Sequence, residues 1–337
     1  SSNSLMANNK FYNSLNKVPQ ATPPIWFMRQ AGRYHSHYQQ LKQKYTFEQL
    51  CKTSELAAEV ACGPVEEFDF DIAILFSDIL FVLEGLGLEL EFKPGPIFNE
   101  YLTKENYKKF SNVDRALEHM NFQHDAITIT RQKLSKHKSL IGFVGGLWTV
   151  MRFATGQNKE NKIFQSYYSE FMQTTLLEAI KGNIKLQLDA GAEIVMMFDS
   201  GIHDLDNNYF RNEYKNLLIN ITNAFPNKLG YYIRGKTYKE IKHLKNLPLA
   251  GLGVDSGVNL QPFFSDSKFG FIQGNFNENY LLLDSKELSN ELNKYSDHLM
   301  SFQNLDGWVC GLGHGINKNT PEKNVHLFIE TIRKKFS

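Results

Sequence analysis

Residues 193–200 read EIVMMFDS, an apolar run closed by Asp199 and Ser200. Polar and apolar positions do not alternate within it, so a strand here has both faces buried, as in a parallel sheet covered by helices. The same pattern recurs at 24–29 (PIWFMR), 72–78 (IAILFSD), 140–145 (LIGFVG), 229–235 (LGYYIRG), 248–255 (PLAGLGVD), 270–275 (GFIQGN) and 308–314 (WVCGLGH), making eight runs in all. Each ends in a polar or glycine-containing corner, the place where a buried strand must meet solvent.

Helical signals fill the spaces between the runs. Residues 47–62 (FEQLCKTSELAAEVAC) follow Thr46 as an N-cap, 161–188 keep helical spacing up to Gly191, and 320–336 place Pro321 at the first helical position. Eight alternating units without a composition break predict an α/β fold, a single-domain (β/α)8 TIM-type barrel over 1–337, rather than a doubly wound sheet with a second domain. Between Asp78 and Leu140 the spacing is too long for one unit. There 86–98 (LGLELEFKPGPIF) alternates around a Pro-Gly turn and predicts a β-hairpin inserted after strand 2. Residues 1–10 are expected to form a flexible N-terminus.

Composition narrows the class of function. The 337 residues are 42% apolar and 22% charged, which fits a globular protein and excludes a disordered or collagen-like chain. Lys and Arg number 37 against 36 Asp and Glu, so no global field draws the chain to nucleic acid, and an anion site must be local. No apolar run approaches the ~18 residues of a membrane span, and no basic and apolar leader opens the sequence. A cytoplasmic protein is expected. Cys51, Cys62 and Cys310 never form C-x-x-C and are read as reduced thiols.

In such a barrel the functional groups gather at the carboxyl ends of the strands. The run WFMRQAGRY (26–34) sets Arg29 and Arg33 four positions apart, beside Gln30 and an Ala31-Gly32 pair that lets backbone N–H groups approach a ligand. Two planar guanidinium forks in a recessed loop suit carboxylates, an internal salt bridge being the alternative. Asp78 ends an apolar strand, where a lone carboxylate needs donors from Ser77, from backbone amides or from a ligand. His314 lies in GLGHG, where three glycines strip bulk from around the ring and invite a ligand. His35 and His37 are expected to be solvated. No metal-binding His or Cys spacing, dinucleotide G-x-G-x-x-G or phosphate loop occurs, so neither a metal nor a nucleotide cofactor is expected.

With these motifs the chain resembles the uroporphyrinogen decarboxylase family almost end to end: PPIWFMRQAGRY (23–34), LCKTSELAAEV (50–60), DIAILFSDIL (71–80), LIGFVGGLWTVM (140–151), AGAEIVMMFDS (190–200), GLGVD (251–255), FIQGN (271–275) and GLGHGINKNTPEKNV (311–325). The resemblance implies a (β/α)8 barrel, a homodimer, no metal and no organic cofactor. It implies a carboxy-lyase of haem and porphyrin biosynthesis that removes four acetate carboxyl groups from the tetrapyrrole uroporphyrinogen III, giving coproporphyrinogen III and carbon dioxide. By resemblance, Arg29, Gln30, Ala31, Gly32 and Arg33 match the family's carboxylate-binding and catalytic loop, with Arg29 as proton donor. Asp78 matches the catalytic aspartate that gathers pyrrole N–H groups, and Phe153, Ser200 and His314 match substrate-binding positions.

The chain also departs from the family pattern. Phe153 stands where the family has tyrosine, and Arg152 beside it offers a replacement cation. Asp255-Ser256 replaces Asp-Trp, Glu66-Glu67 replaces a basic pair, and Arg234 replaces lysine. Two further readings compete. A corrinoid-linked methyltransferase on the same barrel needs zinc through H-x-C, whereas His203 is followed here by Asp204 and Leu205. A non-catalytic tetrapyrrole-binding paralogue is favoured only by the departures.

Overall fold

The structure is a computed structural model that describes residues 8–156, 164–266 and 268–337. Its strands are β1 (Ile72–Ile74), β2 (Leu90–Phe92), β3 (Pro96–Phe98), β4 (Ser139–Gly145), β5 (Val195–Asp199), β6 (Leu229–Ile233), β7 (Gly251–Val254), β8 (Phe271–Gln273) and β9 (Trp308–Val309). All but β2 and β3 form one parallel sheet in the order β1-β4-β5-β6-β7-β8-β9, each strand beside its successor. Helices occupy the connections, as the unbroken apolar runs require.

The first run, 24–29, closes the ring. Ile25 forms a parallel bridge with Cys310, whose N–H donates to Pro24 O at 2.9 Å. On its other edge Ile25 O accepts from Asp71 N–H at 2.9 Å, and the Ile25 N–H donates to Asp71 Oδ2 at 2.7 Å. All eight runs therefore lie in the wall. The first is a single bridge rather than a strand because Pro23 and Pro24 carry no N–H for a ladder. Inward side chains such as Trp26, Met28, Ile72, Ile141, Met196 and Phe271 fill the interior as a core distinct from the one beneath the helices.

The hairpin falls where expected: β2 and β3 pair antiparallel, with Leu90 opposite Phe98. Helix boundaries differ in three places. The stretch 47–62 is two helices, Phe47–Lys52 with a capping box between Thr46 and Gln49, and Ser54–Phe68, with an extended Thr53 between them. Within 161–188, residues 161–163 lie outside the described residues; helix runs from Ser166 through a π-turn at Met172–Leu176 to Asp189, before Gly191. Pro321 precedes its helix, Glu322–Lys335, as the N-cap.

Of the expected flexible N-terminus, residues 1–7 lie outside the described residues. Residues 8–10 correct that expectation: the Asn8 side chain caps the helix Asn9–Leu15 and its amide donates to Asp71 at 3.2 Å. Among the described residues no helix is long and apolar enough to cross a membrane.

Candidate active site

The turn after Ile25 carries the first group of candidates to the carboxyl-end mouth of the barrel. Arg29 has φ of 64°, a left-handed conformation that costs a non-glycine residue of order 1–3 kcal/mol and persists only where its surroundings fix it. Here they do: Gln30 N–H donates to Phe27 O, and Ile316 N–H to Met28 O, both at 3.0 Å. Solvent reaches the Arg29 guanidinium, yet desolvation, joined by the charge of Arg33, lowers its pKa while Asp78 pulls the other way. Among the described residues neither Arg29 nor Arg33 has a carboxylate within ion-pair distance, so the internal salt bridge is not formed. Ala31 and Gly32 are half-buried in the turn, and their N–H groups donate to nothing among the described residues.

Gln30 turns the other way, which corrects its expected role. Its buried side chain accepts from Phe27 N–H at 3.0 Å and donates to Ile72 O at 2.9 Å, clasping the bridge segment to β1. Those bonds fix the arginine turn and leave the amide facing away from a ligand. His35 is corrected too: it is 2% exposed, set against Phe68 at 5.0 Å between ring centroids, with Nε2 3.5 Å from Glu322 Oε1. Helices Ser54–Phe68 and Glu322–Lys335 cover the segment that looked polar from sequence alone.

Asp78 follows β1 at the mouth. One oxygen accepts from Leu80 N–H at 2.8 Å; among the described residues Ser77 makes no hydrogen bond to it, and its hydroxyl accepts from the Gln123 amide at 2.9 Å. Desolvation pushes the Asp78 pKa up to about 6, against the Leu80 amide and the Arg29 charge, which lower it. The group is therefore largely ionised near neutrality, held by one amide and by charge.

His314 faces Tyr232. Their rings stack at 6.1 Å, and the Tyr232 hydroxyl lies 3.3 Å from His314 Nδ1 while donating to Gly313 O at 2.6 Å. Burial, then the charges of Arg29 and Arg234, lower the His314 pKa to about 4, so the ring is neutral. The glycines around it make room for the protein itself, not for a ligand. A Cβ at Gly311 would lie 2.5 Å from Trp26 O, at Gly313 2.4 Å from Ser256 N, and at Gly315 2.5 Å from Arg29 Cδ. Gly315 thus lets the Arg29 stem lie beside His314.

The remaining strand ends divide. Ser200 is partly exposed, its hydroxyl without a partner among the described residues. Asp199 beside it is wholly buried, accepting from Thr149 N–H at 3.2 Å and from the Tyr214 and Tyr231 hydroxyls, an internal knot joining β5, β6 and the helix Leu147–Ala154. Phe153 on that helix is half-buried and packs against the core. Arg152 is not a replacement cation: its Nε lies 2.8 Å from Asp204 Oδ2. Asp255 and Asn275 make loop hydrogen bonds. The candidate list omitted Tyr232, although alternation along 229–235 sets it on one face with Arg234. Among the described residues no three His, Cys, Asp or Glu side chains gather as metal ligands.

A family profile described as uroporphyrinogen decarboxylase (URO-D) matches residues 6–335. The uroporphyrinogen decarboxylase of Orientia tsutsugamushi (strain Ikeda) is 34% identical over 342 residues, covering 96% of this chain and 98% of that protein. The uroporphyrinogen decarboxylase of Helicobacter acinonychis (strain Sheeba) is 34% identical over 338 residues, covering 93% and 95%. Among solved structures, a methyltransferase from Methanosarcina mazei superposes with a TM-score of 0.80 over 98% of this chain and 99% of that one, at 16% identity, a likeness of fold.

Proposed function

Since the chain belongs to the uroporphyrinogen decarboxylase family, we propose that it removes the four acetate carboxyl groups of uroporphyrinogen III, giving coproporphyrinogen III and carbon dioxide, without metal or organic cofactor. The observation that carries this reading is one ionised carboxylate, Asp78, facing a mouth whose Arg29 and Arg33 have no ion-pair partner among the described residues. Such a mouth is complementary to a ligand with carboxylates at its rim and N–H groups at its centre.

Protonation of a pyrrole carbon makes the ring cationic. The bond to the carboxyl carbon then breaks, its electron pair flows into the ring, and carbon dioxide leaves. The exocyclic carbon takes a proton to become a methyl group while the ring carbon returns its own, so each decarboxylation consumes one proton and the conversion of one substrate molecule consumes four. Asp78 stabilises the cation more than the neutral ground state, which is what lowers a barrier. Arg29, made more acidic by desolvation and by Arg33, is the proposed proton donor. Arg33, Ser200 and neutral His314 bind carboxylates around it, and the Ala31 and Gly32 amides face the same anions. The same reading carries a homodimer in the cytoplasm.

Incubating the purified chain with uroporphyrinogen and separating products by carboxyl number tests the proposal. Progressive loss from eight carboxyls to four is expected, and an octacarboxylate that persists unchanged refutes it.

A further inference from the structure

We propose that Arg234 is a further carboxylate-binding residue of this cleft, holding beside His314 a peripheral carboxylate of the tetrapyrrole distinct from the one gripped by Arg29 and Arg33. The inference rests on the proposed function and adds a determinant of substrate recognition to it.

Three observations converge on this residue. The first is position. Arg234 follows Tyr232 by two residues at the end of β6, so the strand period sets both on one face, with Arg234 a step nearer the mouth. Tyr232 stacks on His314, and Arg29 crosses Gly315 beside that ring. The Arg234 charge bears on both neighbours, lowering the pKa of His314 and of Arg29.

The second is charge without a partner. Among the described residues Arg234 has no ion pair, although the turn it opens touches Asp255. Both oxygens of that carboxylate accept backbone N–H groups instead, from Gly235 at 2.6 Å and from Gly257 at 2.8 Å. Asp255 keeps its charge but spends its oxygens on backbone N–H groups, so the Arg234 donors, close to those of Arg29, remain available to an anion.

The third is preorganisation. Gly235 has φ of 74°, and a Cβ there would lie 2.3 Å from His203 Cβ, so the turn is pressed against the loop after β5. Lys236 is buried, its Nζ donating to Leu205 O at 2.5 Å and to Asn207 Oδ1 at 2.6 Å. The backbone that carries Arg234 is thereby fixed before any ligand arrives, which reduces the ordering cost of binding.

Titration of wild type, R234Q and R234K with uroporphyrin, the oxidised octacarboxylate, followed by fluorescence at low and high salt, tests the assignment. R234Q is expected to bind about tenfold more weakly at low salt, the gap narrowing as salt screens the charge. R234K keeps the charge, loses the planar fork and falls between. The His314 pKa, followed by NMR, rises in R234Q, as expected if the Arg234 charge faces the ring; a purely structural arginine is separated by the salt-dependent loss of binding. R234Q within twofold of a tightly binding wild type overturns this proposal alone. A wild-type chain that binds no uroporphyrin overturns it, and one that also leaves uroporphyrinogen unconverted overturns the proposed function with it. Should R234Q fail to fold, an R234K indistinguishable from wild type overturns it.

Discussion

Arg152 Nε lies 2.8 Å from Asp204 Oδ2, and Trp148 Nε1 donates to the other oxygen of that carboxylate at 2.7 Å. The guanidinium is therefore engaged with the loop after β5 rather than left free for a ligand charge. Arg152→Ala is expected to leave the Michaelis constant for uroporphyrinogen within about twofold of wild type, with the same salt dependence, because no ligand charge is lost. A salt-sensitive rise would place Arg152 on the substrate after all.

Asp78→Asn keeps size and loses charge. It is expected to preserve the circular dichroism spectrum and lower kcat by roughly 10²- to 10³-fold, the usual cost of one preorganised electrostatic stabiliser. Because the wild-type carboxyl titrates at about 6, kcat/KM falls as pH drops through that value and the stabilising anion is protonated. The acidic limb should be absent from the residual activity of the variant; a limb that survives belongs to another group.

His314 is held at about 4 by burial and by two arginines. The unfolded chain takes up its proton near the ordinary ~6.5, so this group costs stability as pH falls from there to about 4, and no further below that. Asp78 has the opposite sign: with its pKa raised, its contribution is fully present below the ordinary ~3.9 and is lost as pH rises through about 6. Imidazole NMR titration should find His314 neutral down to about pH 4 in the free protein and higher once uroporphyrin offsets the arginines. A free-state value near 6.5 would mean that the ring is not shielded as described.

Gln30→Leu leaves Phe27 N–H and Ile72 O without their buried partner, at about 1–3 kcal/mol for each unsatisfied group. A fall of several degrees in Tm is expected, with the Michaelis constant of the folded fraction little changed. The reverse pattern, intact stability and a raised Michaelis constant, would return Gln30 to the ligand.

The barrel was legible because buried parallel strands leave unbroken apolar runs, and the hairpin because Pro94-Gly95 breaks an alternating pattern. The placement of Asp78 and Arg29 at strand ends was legible because a charge closing a buried apolar run has few structural reasons to be there, and Arg33 was singled out by its spacing from Arg29. What sequence could not supply was direction. Gln30 sits beside two mouth-facing arginines yet points into the wall, and the glycines about His314 admit Trp26, Ser256 and Arg29. Such contacts join residues from about 40 to nearly 290 positions apart, which no local pattern encodes. His35 reads as polar surface until a helix from the far end of the chain lies over it.

The seam at Ile25 and Cys310 carries a consequence for the making of the protein. A chain emerging from the ribosome exposes Arg29 early, but the wall segment that aims it has no partner on one edge until Cys310 arrives. Ile316, which holds Met28 O, comes later still. The intervening strands pair with their immediate successors and can assemble in order as synthesis proceeds. The geometry of the arginine turn is thus completed late in synthesis, once the segment carrying Cys310 and Ile316 has reached the first run.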